Sequence, residues 1–514
     1  MDMTTRQLNR QQNSIWIFIF LGYLLILLFS ANAHESLFYR PRSVHQWRQA
    51  DSASQSLNFH QNEVSFWTPQ MHNQAGQNGY AIAEFPVTYY FISILYDWFG
   101  VHEVLHRGTH LLIVMAGWWF LFLIGKRLTG SGGLALFPVA LMSTFPVFFY
   151  YSNNFLPNAP AIGLVLIGWY AFFRYRDNQK LVWLYLMAFF MLIACLLKVS
   201  EGISFIAILA VGLLSLLPGR LFPNAFIPRK HLLHWVGVAV AVIALNVAWY
   251  EYARYYNDVY GNNQSLIGIL PFWEMNKDDW QLLEYMVEDV WLPHLMHPAW
   301  LYTLGAMTLL FLGLFLRMHE LLRWITLLLL VGCGGYGLLF LKAFPMHDYY
   351  WLTFAIYPPF LLITLLEWGR RALKERHWLI KAVPVAGLFA LSILGLIQNR
   401  EIQKVRYTDD RFRSGLPEGS YELEPYLRSI GVSRHAKVVS VRDKSPNITL
   451  YLMNNPGYSE AFNGGDYTVG GFQKVGAEFL IINDSSYLEK PMYQPFLKKQ
   501  IGAYKGILIY DIRD

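Results

Sequence analysis

Eleven apolar runs, several of them long enough to cross a bilayer, punctuate this chain, and a helix needs about 20 such residues to span the hydrocarbon core. They fall at 15–29 and near 107–125, 133–151, 160–173, 181–197, 202–217, 232–251, 298–316, 322–341, 351–369 and 380–397. Hydrophobic residues make up 54% of the 514 and charged ones only 15%, which excludes a soluble globule. The reading is an α-helical polytopic membrane protein with about 11 transmembrane helices.

The run 85–99 is different, because 15 residues cover only about 22 Å as a helix and Pro86 suits a helix start. We read 86–99 as a helix lying along the outer membrane surface. That choice puts Lys126/Arg127, Arg174/Arg176/Lys180, Arg220/Arg229/Lys230, Arg317/Arg323 and Arg370/Arg371/Lys374/Arg376 all on the cytoplasmic side. The net charge of +6 is therefore a topology signal, not a nucleic-acid surface. Ala31-Asn32-Ala33 after the first run would also suit signal cleavage, but an uncleaved helix is the preferred reading. Either way, the polar segments 34–84, 152–159, 198–201, 252–297, 342–350 and the tail from about 400 fall outside.

The expected division is a transmembrane catalytic domain, 1–399, with its first outer loop at 34–85, and a small extracytoplasmic α/β domain, 400–514. The tail supplies strand candidates at Lys437–Val441, 478–482 and 506–512, and a helix capped by Ser445 with Pro446 in its first turn. Cys195 and Cys333 sit inside apolar runs, so no disulfide framework is available. No Gly-rich phosphate loop supports a nucleotide. Sequons at Asn263, Asn447 and Asn483 are close to chance frequency.

The residues with chemistry to offer share the outer side. In the segment beginning at His45, helical spacing puts Arg48, Asp51 and Gln55 on one face. A carboxylate there suits a general base for an acceptor hydroxyl; taken alone, the segment equally fits a surface helix with an Arg48–Asp51 pair. Glu84, just before Pro86, suits orienting an acceptor, holding a metal, or charging a helix N-terminus. Lys198 follows one span, and His347, Tyr349 and Tyr350 precede another. Ionisable residues at such edges carry a functional expectation, and cations with hydroxyl donors suit a phosphate leaving group. Snorkelling explains such a lysine as well, and an aromatic belt such tyrosines. Oxygen ligands suit hard cations, so a divalent ion between Asp51 and Glu84 fits the residue types, and no other cofactor is suggested.

Together these pieces resemble the GT-C membrane glycosyltransferases, the group of protein O-mannosyltransferases and lipid A aminoarabinose transferases. The likeness spans residues 14 to about 400. It rests on His45-x-Trp47-Arg48-Gln49-x-Asp51, Glu84-x-Pro86, Leu156-Pro157-Asn158-x-Pro160, Lys198, and His347-Asp348-Tyr349-Tyr350 in that order. It implies a polyprenyl-phosphate sugar donor, inverting transfer, Asp51 as base or acceptor-orienting group, and Lys198 near the donor phosphate. Arg48, Gln55 and Asn158 are further substrate-binding candidates. Ser52, Phe85 and Asn158 depart from the family's usual second acid, basic residue and Asp, so sugar and acceptor (glycan, lipid or protein) stay open. The implied setting is the outer face of a bacterial cytoplasmic membrane. A lipid-linked glycan ligase or polymerase shares these features; a transporter or flippase would place its polar residues at broken helices in repeated halves, which this chain lacks.

Overall fold

The computed structural model describes residues 3–74, 77–217, 226–262, 268–412, 415–460 and 468–513; Arg220 and Asn263 lie outside them. Helices stand over every predicted apolar run. Among the described residues, six are long and apolar enough to cross a membrane: Glu103–Thr129, Val199–Leu216, Arg229–Val259, Glu320–Ala343, Asp348–Ala372 and Trp378–Thr408. A seventh exists if Gly132–Ser143 and Pro146–Ser152, bent by 81°, form one broken span. The sequence reading expects about eleven, of which six or seven are full-length candidates among the described residues. Ile15–Ser30, Leu181–Leu197 and Pro298–Gly313 are apolar but shorter than a full crossing. The Asn158–Asn178 helix is long enough, yet its apolar stretch between Asn158 and Arg174 is brief. Most of that helix is buried against protein, which relaxes the need for apolar side chains.

Local chemistry sets the helix ends. Glu103–Thr129 opens with an acidic residue in its first turn, closes with Lys126 and Arg127, and stops at Gly130, whose φ of 66° suits a residue without Cβ. Small residues set its packing: a Cβ on Gly117 would lie 2.6 Å from Gly163 Cα on Asn158–Asn178, so the two backbones touch. The basic clusters meet at one end, where Arg127 pairs with Asp177 and Arg370 lies beside Gly130.

At the other end, the helix Gln46–Gln61 and the helix Val87–Phe99, the latter where the sequence puts a surface helix, lie with the C-terminal domain. That domain holds a five-stranded sheet in the order β2-β1-β3-β5-β4. Its strands are β1 Lys437–Val441, β2 Gly457–Ser459, β3 Ala477–Ile482, β4 Gln500–Tyr504 and β5 Ile507–Asp511. β1 pairs parallel with β2 and β3, and β5 antiparallel with β3 and β4. Two of these strands, β2 and β4, escape the sequence reading; both are edges. The helix start is also displaced, by two residues, with Asn447 at the cap position. Ser445 Oγ accepts the Ile448 N–H at 2.9 Å, but Pro446 precedes the Ile448–Met453 helix instead of entering it.

The first loop and this domain are joined directly. Ala50, Ala53 and Leu57 of Gln46–Gln61 pack on Ile448, Tyr451 and Leu452. The Gly457 N–H donates to His72 carbonyl at 2.9 Å, and Gly457 carbonyl accepts from Gln74 N–H at 2.7 Å. The Trp378–Thr408 helix runs straight through residue 399, so the compositional shift at 400 falls inside a helix.

Candidate active site

The Gln46–Gln61 helix is polar yet buried. Gln46, Gln49, Asp51, Ser52, Ser54, Gln55, Ser56 and Asn58 are all shielded from solvent. It begins at His45, held at φ 52° with no side-chain cap, so tertiary contacts fix its start. His45 Nε2 lies 3.1 Å from Asp348 Oδ1, and Arg406 Nη2 lies 2.8 Å from Asp348 Oδ2, with both partners of the latter pair wholly enclosed. Tyr151 hydroxyl donates to the same carboxylate. Asp348 thus ties the helix start to three distant segments.

Asp51 is 7% exposed, and its Oδ1 has no hydrogen-bond partner. Burial pushes its carboxyl up to about 7; the Arg48 charge opposes this and the Glu84 charge adds to it. Such a group can accept a proton near neutral pH. Arg48 forms its ion pair with Glu84, not with Asp51. The other Glu84 oxygen accepts from Tyr89 hydroxyl at 3.1 Å, and that hydroxyl also lies 3.1 Å from Ser52 Oγ. Glu84 is therefore neutralised and doubly held. Among the described residues no three His, Cys, Asp or Glu side chains gather as a metal site, and Arg48 already answers the Glu84 charge, so Asp51 and Glu84 do not fit a divalent ion as they stand.

Lys198 ends the Leu181–Leu197 helix in extended backbone. Its Nζ lies 4.9 Å from the Tyr350 ring centre and 5.8 Å from that of Tyr349. The His347 ring stacks on Tyr349 at 5.3 Å and on Tyr350 at 5.9 Å, and its other neighbours are His45 at 5.7 Å and Trp47 at 6.0 Å. Burial, then the nearby His45, lowers His347 to about 4, so it offers a neutral imidazole and not the cation that the sequence suggests. Its Nδ1 is buried without a partner.

The structure thus gathers Lys198, His347, Tyr349 and Tyr350 into one cluster that meets the Gln46–Gln61 helix through His45 and Trp47. Gln55 follows Asp51 by one turn, fully buried with both amide atoms unpartnered. Asn158 heads its helix, buried, and takes no part in the bonds described above. Sequence reasoning passes over Asp348 and Arg406 as functional groups. Their pairing spans 58 positions, and nothing local distinguishes Arg406 from the other basic residues after the last apolar run.

Residues 83–249 match the family described as dolichyl-phosphate-mannose-protein mannosyltransferase. An uncharacterized protein of Aquifex aeolicus is 33% identical over 106 residues, 20% of this chain and 21% of that relative, so the match spans about a fifth of each. The fold is similar to that of ArnT from Cupriavidus metallidurans in the apo state, with a TM-score of 0.59 at 12% identity, covering 97% of this chain and 98% of that one. ArnT bound to undecaprenyl phosphate gives 0.52 at 12% identity, over 96% and 97%. An Archaeoglobus fulgidus oligosaccharyltransferase gives 0.56 at 12%, over 95% and 73%. The family's segment is thus matched at 83–249, and from end to end the fold is similar to that of ArnT.

Proposed function

We propose that the protein transfers a sugar from a polyprenyl-phosphate donor to an acceptor hydroxyl, with inversion, on the outer face of a bacterial cytoplasmic membrane. The observation that carries this reading is the buried Asp51 carboxylate on a helix whose first turn abuts the Lys198–His347–Tyr349–Tyr350 cluster. The ArnT structure with undecaprenyl phosphate supports the donor class by similarity of fold. The charge asymmetry supports the sidedness, with 34–84 and 400–514 outside.

In this mechanism Asp51 removes the proton from the acceptor hydroxyl as its oxygen attacks the anomeric carbon. The bond from that carbon to the phosphate oxygen breaks, and one displacement inverts the centre. Lys198 meets the charge that grows on the departing lipid phosphate, with His347 and the tyrosine hydroxyls as neutral donors. Arg48 and Glu84 hold each other and hold the acceptor in line, while Gln55 and Asn158 are secondary contacts. A lipid-linked glycan ligase would use the same groups, and the likeness to an oligosaccharyltransferase favours keeping that second reading for the size of the donor. Exchanging Lys198 for Met keeps the apolar stem and removes the charge. Equilibrium binding of undecaprenyl phosphate to purified Lys198→Met should weaken by about tenfold or more, as expected for a lost charge-assisted contact of about 1.5–3 kcal/mol. Wild-type affinity would leave Lys198 a snorkelling residue.

A further inference from the structure

We propose that His45 is a further catalytic residue of the transfer: its Nδ1–H binds the donor's phosphate beside Lys198, while Asp348 holds the ring by Nε2. The inference rests on the transferase reading and adds to the donor site a group from the Gln46–Gln61 side.

His45 precedes the Gln46–Gln61 helix in left-handed backbone, φ 52° and ψ 41°, which few residues other than glycine adopt. Its ring stands among the donor side chains. The Tyr349 ring meets it edge-on with centres 5.1 Å apart, and the His347 ring lies 5.7 Å away. Lys198 Nζ is 5.8 Å from the centre of that same Tyr349 ring. The imidazole and the ammonium therefore converge on one tyrosine from two separate segments of chain.

The two ring nitrogens of His45 are placed differently. Nε2 lies 3.1 Å from Asp348 Oδ1. Asp348 is itself wholly enclosed and is fixed from elsewhere, by Arg406 at 2.8 Å and by the Tyr151 hydroxyl. Nδ1 makes no hydrogen bond among the described residues, although the side chain is only 10% exposed. Lys198 has no ion pair among them either. A nearly enclosed nitrogen and an unanswered ammonium on one tyrosine are both satisfied by an oxyanion between them.

Charge favours the same assignment. Arg406 cancels Asp348, so a proton on each His45 nitrogen makes His45 and Lys198 two positive groups for the phosphate. His347 is no substitute, because burial, then His45 and Lys198, keep a second proton off its ring. In the transfer, the bond from the anomeric carbon to the phosphate oxygen breaks and its electron pair goes to that oxygen. His45 keeps both protons throughout, and its Nδ1–H bond to the phosphate strengthens as charge gathers there. Asp51 alone takes the acceptor's proton.

Equilibrium binding of undecaprenyl phosphate and of undecaprenol to the full-length protein in detergent tests this, read as the ratio of the two affinities. His45→Gln puts an amide near the Nε2 position and no donor at Nδ1, whereas His45→Asn keeps an N–H near the Nδ1 position. Loosening of the helix start acts on both lipids, so the ratio reports the phosphate contact. In His45→Gln the ratio should fall about tenfold or more, the scale of a lost charge-assisted hydrogen bond, and His45→Asn should recover part of that loss. Asn also accepts left-handed backbone, so it carries the test alone if Gln does not fold. An unchanged ratio in either variant, or an equal fall in both, would overturn the proposal and leave His45 a structural residue. Equal binding of the two lipids by the wild type would instead sink the transferase reading, and the proposal with it.

Discussion

At the scale of single residues, the account turns on why Asp51 can hold a proton near neutrality. Burial removes water from its carboxylate and Glu84 adds a like charge, while Arg48 pulls the other way, leaving the group at about 7. A base must be ionised, so kcat/KM should rise with pH through a limb near 7 and level off above it. Arg48→Met removes the opposing charge, and that limb should then move upward by about one unit or more. A pH–rate profile of both enzymes checks this; a limb that stays in place, or moves down, would separate Arg48 from Asp51. Residues 84, 198 and 347 are legible as chemistry in the sequence because each is an ionisable group at the edge of an apolar run, and Arg48 and Asp51 because helical spacing sets them on one face of a polar segment. Which of them pair is not legible. Arg48 has Asp51 as its sequence neighbour but binds Glu84, 36 positions away, once the chain folds.

Among the elements, the Gln46–Gln61 helix depends on a buried ion pair at its start. Asp348→Asn would leave Arg406 buried without its counter-charge, a loss of about 3–5 kcal/mol, whereas Asp348→Leu with Arg406→Met should cost less than that single change. Thermal unfolding in detergent should show the double variant melting above the single one. The reverse order would mean that Asp348 serves His45 and Tyr151 more than Arg406. Long periodic elements were readable in advance: the helix at Val87–Phe99 follows from Pro86 and its length, and β1, β3 and β5 follow from β-branched runs. The edge strands were not, since β2 is three residues with a glycine and β4 is half exposed. Counting spans takes more than finding helices. Hydrophobic runs identify helices, but a helix sheltered inside the bundle, like Asn158–Asn178, is free of the composition that lipid demands.

For the whole molecule, one end collects the basic clusters and the other joins the first loop to the C-terminal sheet. If the basic end is cytoplasmic, cysteines placed at the exposed Ser65 and Ser485 should both react with an impermeant maleimide in intact cells, with native Cys195 and Cys333 buried and silent. Protection of either position from outside would invert or break the topology. The central claim is the transfer itself, with Asp51 as its base, and it is tested most directly by a single-turnover assay using a labelled polyprenyl-phosphate sugar. Asp51→Asn keeps the size of the side chain and removes its basicity, so the account predicts intact donor binding with transfer slower by about a hundredfold or more. Transfer by Asp51→Asn at the wild-type rate would contradict it.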